Sequence, residues 1–333
     1  MTQQNMPLDV VGLGNAIVDV LSEANDDLLK RLDLAKGTMT LVDETTMNGL
    51  YGAMAAAVES SGGSAANTMA ALAGLGADAA YIGKVRDDQL GEIFRHDIRA
   101  AGVTFDSWPL EEGPATARCL VFVTDDAQRT MATYLGACVE LGPDDVDEAV
   151  IANAKITYME GYLWDRPKAK EAFLKAARVA HDAGRKVALS LSDPFCVDRW
   201  RDEFLGLIDG HVDVVIANEA EITSLYQTDD FDRAADEVAK HCQLAAITRS
   251  EKGSVIVTPD ARHVIEAAPV EKVVDTTGAG DLYAAGLLYG LTHDMPLPAA
   301  GRLAGLVAAE VLTRYGARLE HSLRPLVDRA VAA

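Results

Sequence analysis

Basic side chains are scarce. Thirty Lys and Arg stand against 51 Asp and Glu, a formal net charge of −21 over 333 residues. A surface so acidic excludes nucleic acid and anionic membrane as partners, because both demand a basic face. It also sets a problem for a polyphosphate ligand, whose site must be made positive locally by helix N-termini, a few Lys or Arg and a divalent metal. Apolar runs of membrane-spanning length are missing, as is a basic-then-apolar leader; the start, Met1-Thr2-Gln3-Gln4-Asn5, is polar. Only four cysteines occur, Cys119, Cys138, Cys196 and Cys242, scattered and without metal-ligand spacing. Buried free thiols in a reducing cytoplasm are therefore expected. Repeats, low-complexity tracts and long linkers are also absent. With 49% hydrophobic residues the chain is expected to bury one substantial core, any second part being inserted into the main domain.

What is present is alternation. Short apolar runs read as strands at Val10 to Leu13, Ala79 to Ile82, Ile156 to Met159, Lys186 to Leu191, Val212 to Ala217, Ala245 to Thr248 and Ser254 to Val257. Between or after them lie helical patterns: Ser64 to Leu75, Gln89 to Ala101, Lys168 to Ala183, Phe231 to His241 and Pro298 to Arg314. Such βα alternation implies an α/β fold with a mostly parallel sheet covered on both faces. Two stretches break the rhythm. Thr38 to Val42, and Ala117 to Thr124 followed by Arg129 to Leu135, read as strands without intervening helices, the latter pair as a hairpin around Asp125–Gln128. Strands that leave the main sheet predict a small β flap over the site.

The most informative segment is Asp275-Thr276-Thr277-Gly278-Ala279-Gly280-Asp281, set between an apolar run and a helical stretch from Leu282 to Leu291. A small-residue turn opening a helix offers free backbone N–H groups and the positive end of the helix dipole, suited to phosphate oxygens. A plain phosphate cradle would not carry a carboxylate at its lip. Asp281 makes sense as a general base that takes a proton from an alcohol attacking phosphorus. The plainer alternative is a capped turn with Asp281 starting the helix. A second Gly-rich segment, Ser61-Gly62-Gly63-Ser64-Ala65-Ala66-Asn67, also opens a helix, and Asn67 can donate to and accept from a vicinal diol.

Together the two segments resemble the paired signatures of the ribokinase-like (PfkB) family of carbohydrate and nucleoside kinases. The resemblance runs from Val10 to about Arg314. It includes Gly83-Lys84-Val85-Arg86-Asp87-Asp88-Gln89-Leu90-Gly91 and the Asn-x-x-Glu element Asn218-Glu219-Ala220-Glu221. Within the family, Gly12-Leu13-Gly14-Asn15-Ala16-Ile17-Val18-Asp19, Leu189 to Phe195 and Arg129 to Ala137 are most similar to the adenosine kinases. Gly12-Leu13-Gly14 is no dinucleotide fingerprint, since Ile17 stands where its third glycine belongs.

The resemblance implies a ribokinase-like three-layer sandwich, residues 1–333 as a single kinase domain with a lid from about 15–60 and 112–137. It implies ATP, Mg²⁺ and in some members K⁺, and a monomer or a homodimer acting on a small molecule. It implies Asp281 as base, with the N–H groups of Ala279, Gly280 and Asp281, opened by Gly278, as the anion hole. Arg129 would bring positive charge on the lid. Asp19, Asn15, Asn67 and the Gly63 backbone would hold the acceptor diol. Phe195, Trp164 and Leu41 are candidates to sandwich a purine, with Tyr162 more core than slot. Thr248, Gly253, Thr276 and Asn218 would face the nucleotide, and Glu221 with Asn218 would organise Mg²⁺ and its waters. Ser250 stands where a glycine is usual in the loop Thr248–Gly253, with Arg249 or Lys252 as compensating charge. The leading expectation is phosphorylation of a nucleoside 5′-hydroxyl, adenosine to AMP. The rivals are a sugar kinase using the same base and a silent nucleoside-binding protein.

Overall fold

Apolar strands flanked by helices settle into a sheet whose order follows the chain's own pattern. The computed structural model describes residues 7–126, 128–319 and 321–332; Met1–Asn5 and Ala127 of the hairpin turn thus lie outside the described residues. Among those residues the main sheet runs, edge to edge, Arg262–Ile265, Ser254–Val257, Leu244–Thr248, Val214–Asn218, Lys186–Ser190, Ala154–Glu160, Leu8–Leu13 and Ala79–Ile82. Six of these eight strands are parallel, and the two at the Arg262–Ile265 edge are antiparallel. The central strands are buried on both faces, which is why they read as near-continuous apolar runs. Two large apolar clusters fill the space on either side. No helix among the described residues is long and apolar enough to cross a membrane.

A second sheet stands apart from the first, ordered Met39–Leu41, Arg129–Tyr134, Ala117–Val123, Ile17–Glu23 and Ala57–Gly62. Two of its strands are not among the runs read from sequence. Ile17–Glu23 alternates buried and half-buried positions, as a one-faced strand should, but follows Leu13 so closely that it reads as one strand with it. Ala57–Gly62 is exposed at Ala57 and Val58 and half-buried at Glu59 and Ser60, so it carries little apolar signal. The chain leaves the main sheet at Leu13, turns through Gly14–Ala16, and enters the second sheet at Ile17. Asp19 is therefore carried by the smaller sheet.

The helix Ala279–Thr292 is positioned by its glycines. A Cβ on Gly286 would lie 2.6 Å from the Ala304 Cα, and one on Gly290 would lie 2.5 Å from the Ala300 Cβ. Spaced four apart, they form a flat stripe on which the Ala-rich helix Leu297–Leu312 packs closely. On another side lies the helix Ser64–Leu75, whose Thr68 hydroxyl donates to the Asp281 carbonyl at 3.2 Å. The two Gly-rich segments, more than two hundred residues apart in sequence, are thereby brought face to face.

Candidate active site

Gly278 opens the helix Ala279–Thr292 in the left-handed conformation, φ +78°, where a side chain is strained. A Cβ there would also meet the Ala317 Cβ at 2.5 Å. Nothing lies within 4 Å of a Cβ built on Gly280, so the turn faces open space. The Ala279 N–H bends back onto the Thr276 carbonyl at 3.2 Å. The Gly280 and Asp281 N–H groups make no hydrogen bond within the described residues. The turn therefore offers an anion two free donors, not the three expected from sequence, because its tightness consumes one. The Thr276 side chain is exposed beside them.

Asp281 is held by the other Gly-rich segment. Its Oδ1 accepts from the Ser64 hydroxyl at 2.7 Å and its Oδ2 from the Asn67 amide at 3.0 Å. Burial raises the pKa of its carboxyl, opposed by Ser64, Asn67 and the nearby Arg318. The Asn67 Oδ1 is buried and has no partner, an acceptor left for a ligand hydroxyl. Gly63 sits at φ +96° with its would-be Cβ 2.2 Å from the Asn15 carbonyl, and a Cβ on Gly62 would lie 2.4 Å from the Asp19 carboxylate. Only glycines let this turn approach the two residues so closely. The Asp19 carboxyl is pushed up to about 6 by burial, with Arg318 and Arg129 lowering it and Asp281 raising it further.

Beneath this pair lies Glu160, which the sequence reading missed. Its carboxylate accepts from the Asn15 N–H at 2.8 Å, the Asn15 amide at 2.9 Å and the Ala65 N–H at 2.7 Å. Burial pushes it up to about 7 against those hydrogen bonds. Asn15 is thus a strut between Glu160 and the Gly63 turn. The available signal was a lone acid closing the apolar strand Ala154–Glu160. Ser64 was missed although it lies inside a segment already singled out.

Arg129, on the second sheet, reaches the Asp275 loop. Its Nη2 is 2.8 Å from the Asp275 Oδ2, both side chains being only 8% exposed. The Arg129 Nε is buried without a partner. The Asp275 carboxylate is otherwise engaged: Oδ1 accepts the Thr277 N–H and hydroxyl, and Oδ2 accepts the Gly316 N–H. That carboxylate does not fit a K⁺ ligand, because a guanidinium and three donors already occupy it.

Asn218 and Thr248 stand side by side at the C-terminal ends of neighbouring parallel strands. Asn218 caps the helix Glu219–Leu225 in a reciprocal box: its Oδ1 accepts the Glu221 N–H at 2.8 Å, and Glu221 accepts the Asn218 N–H at 2.9 Å. Glu221 is buried and pushed up to about 7, chiefly by that burial. The pair is thus not a direct metal-ligand set, and no cluster of three acidic, His or Cys groups among the described residues could hold an ion. A single buried carboxylate fits only an Mg²⁺ that keeps its waters and rides on nucleotide phosphates. Gly253 is required in its turn, where φ is +80° and a Cβ would meet the Ile265 carbonyl at 2.1 Å. Ser250 takes the left-handed conformation itself, φ +52°. Arg249 and Lys252 are not free charges, since both pair with Glu219.

The aromatic candidates divide. Phe195 is 79% exposed, at the start of the helix Pro194–His211, and Leu41 is exposed on its edge strand. Tyr162, read as core, instead keeps 39% exposure, its hydroxyl donating to the Ser192 carbonyl. Trp164 is a correction in the other direction. It is 4% exposed, its ring centroid 5.4 Å from that of Phe173 and 6.3 Å from that of Phe204, and its indole N–H donates to Glu203. A ring covered on that scale has no free face for a purine.

The pfkB family of carbohydrate kinases matches residues 40–322. The chain belongs to the PfkB family. It is an ATP-dependent kinase of the sugar or nucleoside type. An adenosine kinase from Sinorhizobium meliloti superposes with a TM-score of 0.90 at 52% identity, covering 97% of this chain and 99% of that one. A probable sugar kinase from Rhizobium etli superposes with a TM-score of 0.91 at 50% identity, covering 98% and 100%. The ATP-dependent ribose-1-phosphate kinase of Halopiger xanaduensis is 33% identical over 260 residues, 78% of this chain and 83% of that protein. The ribokinase-like fold read from the motifs is the fold observed.

Proposed function

We propose that this PfkB kinase transfers the γ-phosphoryl group of ATP to the 5′-hydroxyl of a nucleoside, adenosine before others. Asp281 accepts the hydroxyl proton as the oxygen attacks phosphorus. The free N–H groups of Gly280 and Asp281, at the positive end of their helix, meet the charge on the phosphoryl oxygens in flight. Asp19 and the unpartnered Asn67 Oδ1 hold the ribose diol, which orients the 5′-hydroxyl and so supplies part of the rate. Arg129 brings positive charge to the same loop from the second sheet, which acts as a lid that excludes water. Mg²⁺ bound with the nucleotide neutralises phosphate charge.

The observation that carries a nucleoside over a free sugar is the open aromatic rim. Phe195 and Tyr162, on consecutive βα loops, keep ring surface exposed where a free sugar would need polar groups. The 52% identical adenosine kinase supports the same acceptor. All four cysteines are buried free thiols, which fits a cytoplasmic setting.

The test is ATP consumption with Mg²⁺ against adenosine, inosine, guanosine, ribose, ribose-1-phosphate and fructose, with each product identified. Adenosine should exceed the sugars by about 100-fold in kcat/KM, as expected when a base pocket supplies ~3 kcal/mol. Turnover confined to a sugar or sugar phosphate overturns the nucleoside reading and leaves the kinase assignment standing.

A further inference from the structure

After the helix Leu297–Leu312 the chain crosses the site once more, and three consecutive residues each touch a different part of it. The Gly316 N–H donates to Asp275 at 2.9 Å. Ala317 packs against Gly278 so closely that a Cβ there would overlap it. Arg318 then spans the other Gly-rich segment: Nε donates to the Ser61 carbonyl at 2.9 Å, Nη2 to the Ser61 hydroxyl at 2.9 Å, and Nη1 to the Ala66 carbonyl at 3.1 Å. Ser61 is in turn anchored, its N–H and hydroxyl donating to Asp97 at 2.7 and 2.6 Å.

We propose that Arg318 is a positioning residue for the phosphotransfer, clamping the Gly62–Gly63 turn from both sides so that Ser64 and Asn67 hold Asp281 in line. The geometry is specific to a guanidinium. A planar fork reaches Ser61 before the turn and Ala66 after it, so Ser64 lies inside the clamped stretch and Asn67 directly follows it. A lysine ammonium is a point donor and cannot span those three acceptors in one plane.

The same side chain is the cation that faces both site acids. Asp281 is surrounded by Ser64, Asn67 and Arg318, with Asp19 from the second sheet, Glu160 and Tyr158 from the strand Ala154–Glu160, and Tyr162 beyond it. Among these charged and titratable groups Arg318 alone is a cation facing Asp281; Arg129 faces Asp19. Removing the Arg318 charge therefore makes Asp281 easier to protonate, and the base form is reached at higher pH.

This inference rests on Asp281 being the base, so Asp281→Asn is assayed in parallel. The experiment measures kcat, KM for ATP and for the best acceptor, and the pH profile of kcat from 5 to 9, for the wild type, Arg318→Met and Arg318→Lys. Arg318→Met should lose about 10- to 100-fold in kcat at pH 7, with its acid limb about one pH unit higher and part of the loss regained at pH 9. Arg318→Lys should keep the wild-type acid limb yet lose about 5- to 20-fold in kcat, because the charge stays and the fork is gone. A uniform loss in Arg318→Met at every pH, or wild-type kcat in Arg318→Lys, overturns the proposal. Should Arg318→Met fail to fold, Arg318→Lys carries the test alone. A fully active Asp281→Asn would sink the base assignment, whatever the Arg318 variants do.

Discussion

Replacing Asp281 with Asn should remove the proposed base and almost nothing else. Asp281 Oδ1 accepts from Ser64 and Oδ2 from Asn67. In the variant the amide oxygen can face the Asn67 amide while the new NH₂ faces Ser64, whose hydroxyl rotates to accept. Both contacts survive, so the change in stability from lost hydrogen bonding stays within about 1 kcal/mol. Burial disfavours the ionised carboxylate already, so a neutral amide should leave the protein equally or more stable.

The effect on rate is of another size. Loss of a positioned general base removes about 10²- to 10⁴-fold in kcat, or ~3–5 kcal/mol of barrier. On the proposed reading ATP meets N–H groups and charge that the variant keeps, so its affinity should hold within about threefold. The assay is kcat and KM across pH 5 to 9 with the best acceptor, beside nucleotide titration and a urea midpoint. The wild-type acid limb should sit above the ordinary carboxylate range, since burial raises the Asp281 pKa, and the variant should lack that limb. A variant within tenfold of wild-type kcat, or one that keeps the acid limb, refutes the reasoning.

Asp19→Asn should trade affinity for stability. Its folded pKa of about 6 stands above the ordinary value of 3.8, so the native state holds the proton more tightly than the unfolded chain. The associated stability is full at low pH and is lost as pH rises from about 4 through 6. The Asn variant should therefore be more stable than wild type by about 1–3 kcal/mol at pH 8 and nearly equal at pH 4. Its acceptor KM should rise at least about tenfold; urea midpoints at the two pH values and acceptor titration check both. Gly278→Ala places a side chain at φ +78° against the Ala317 Cβ. Strain and overlap together should remove about 2–4 kcal/mol and displace the anion hole, seen as a lowered thermal midpoint with kcat down more than about tenfold. Ser250→Gly relieves a left-handed serine at φ +52°, and should gain about 0.5–1 kcal/mol in a denaturant midpoint with turnover unchanged.

The legible part of this protein is what repeats or is locally strained. The parallel strands read correctly because burial on both faces leaves them continuously apolar, as in Lys186–Ser190 and Leu244–Thr248. The turn at Gly278 opens a helix as expected, because a glycine tolerates the left-handed conformation there. The second sheet was half legible: its hairpin announced itself, but partly exposed Ala57–Gly62 carries no apolar pattern and Ile17–Glu23 was not read as a strand. Trp164 and Tyr162 were read the wrong way round, since a single aromatic does not state which side of a helix or loop it faces. Arg318 was illegible. It lies 37 positions past Asp281 in a loop without motif, and only packing brings it to Ser61 and Ala66.

Charge explains why so much of the site hides from composition. A chain of net charge −21 must handle a polyphosphate, and its surface cations do not serve that end: Arg249 and Lys252 are spent on Glu219. The positive potential comes instead from a helix N-terminus and from Arg318 under the Gly62–Gly63 turn, while Arg129 is paired with Asp275. A buried cation and a helix dipole act strongly there because they are shielded from water. The same seclusion raises Asp19, Glu160 and Asp281 above the ordinary carboxylate range, so the site pairs reluctant acids with sheltered cations. Each acid alone would destabilise the fold when ionised. Held together around Arg318, they leave the Asp281 carboxyl with a raised pKa, and on the proposed reading that makes it better able to take a proton from an alcohol.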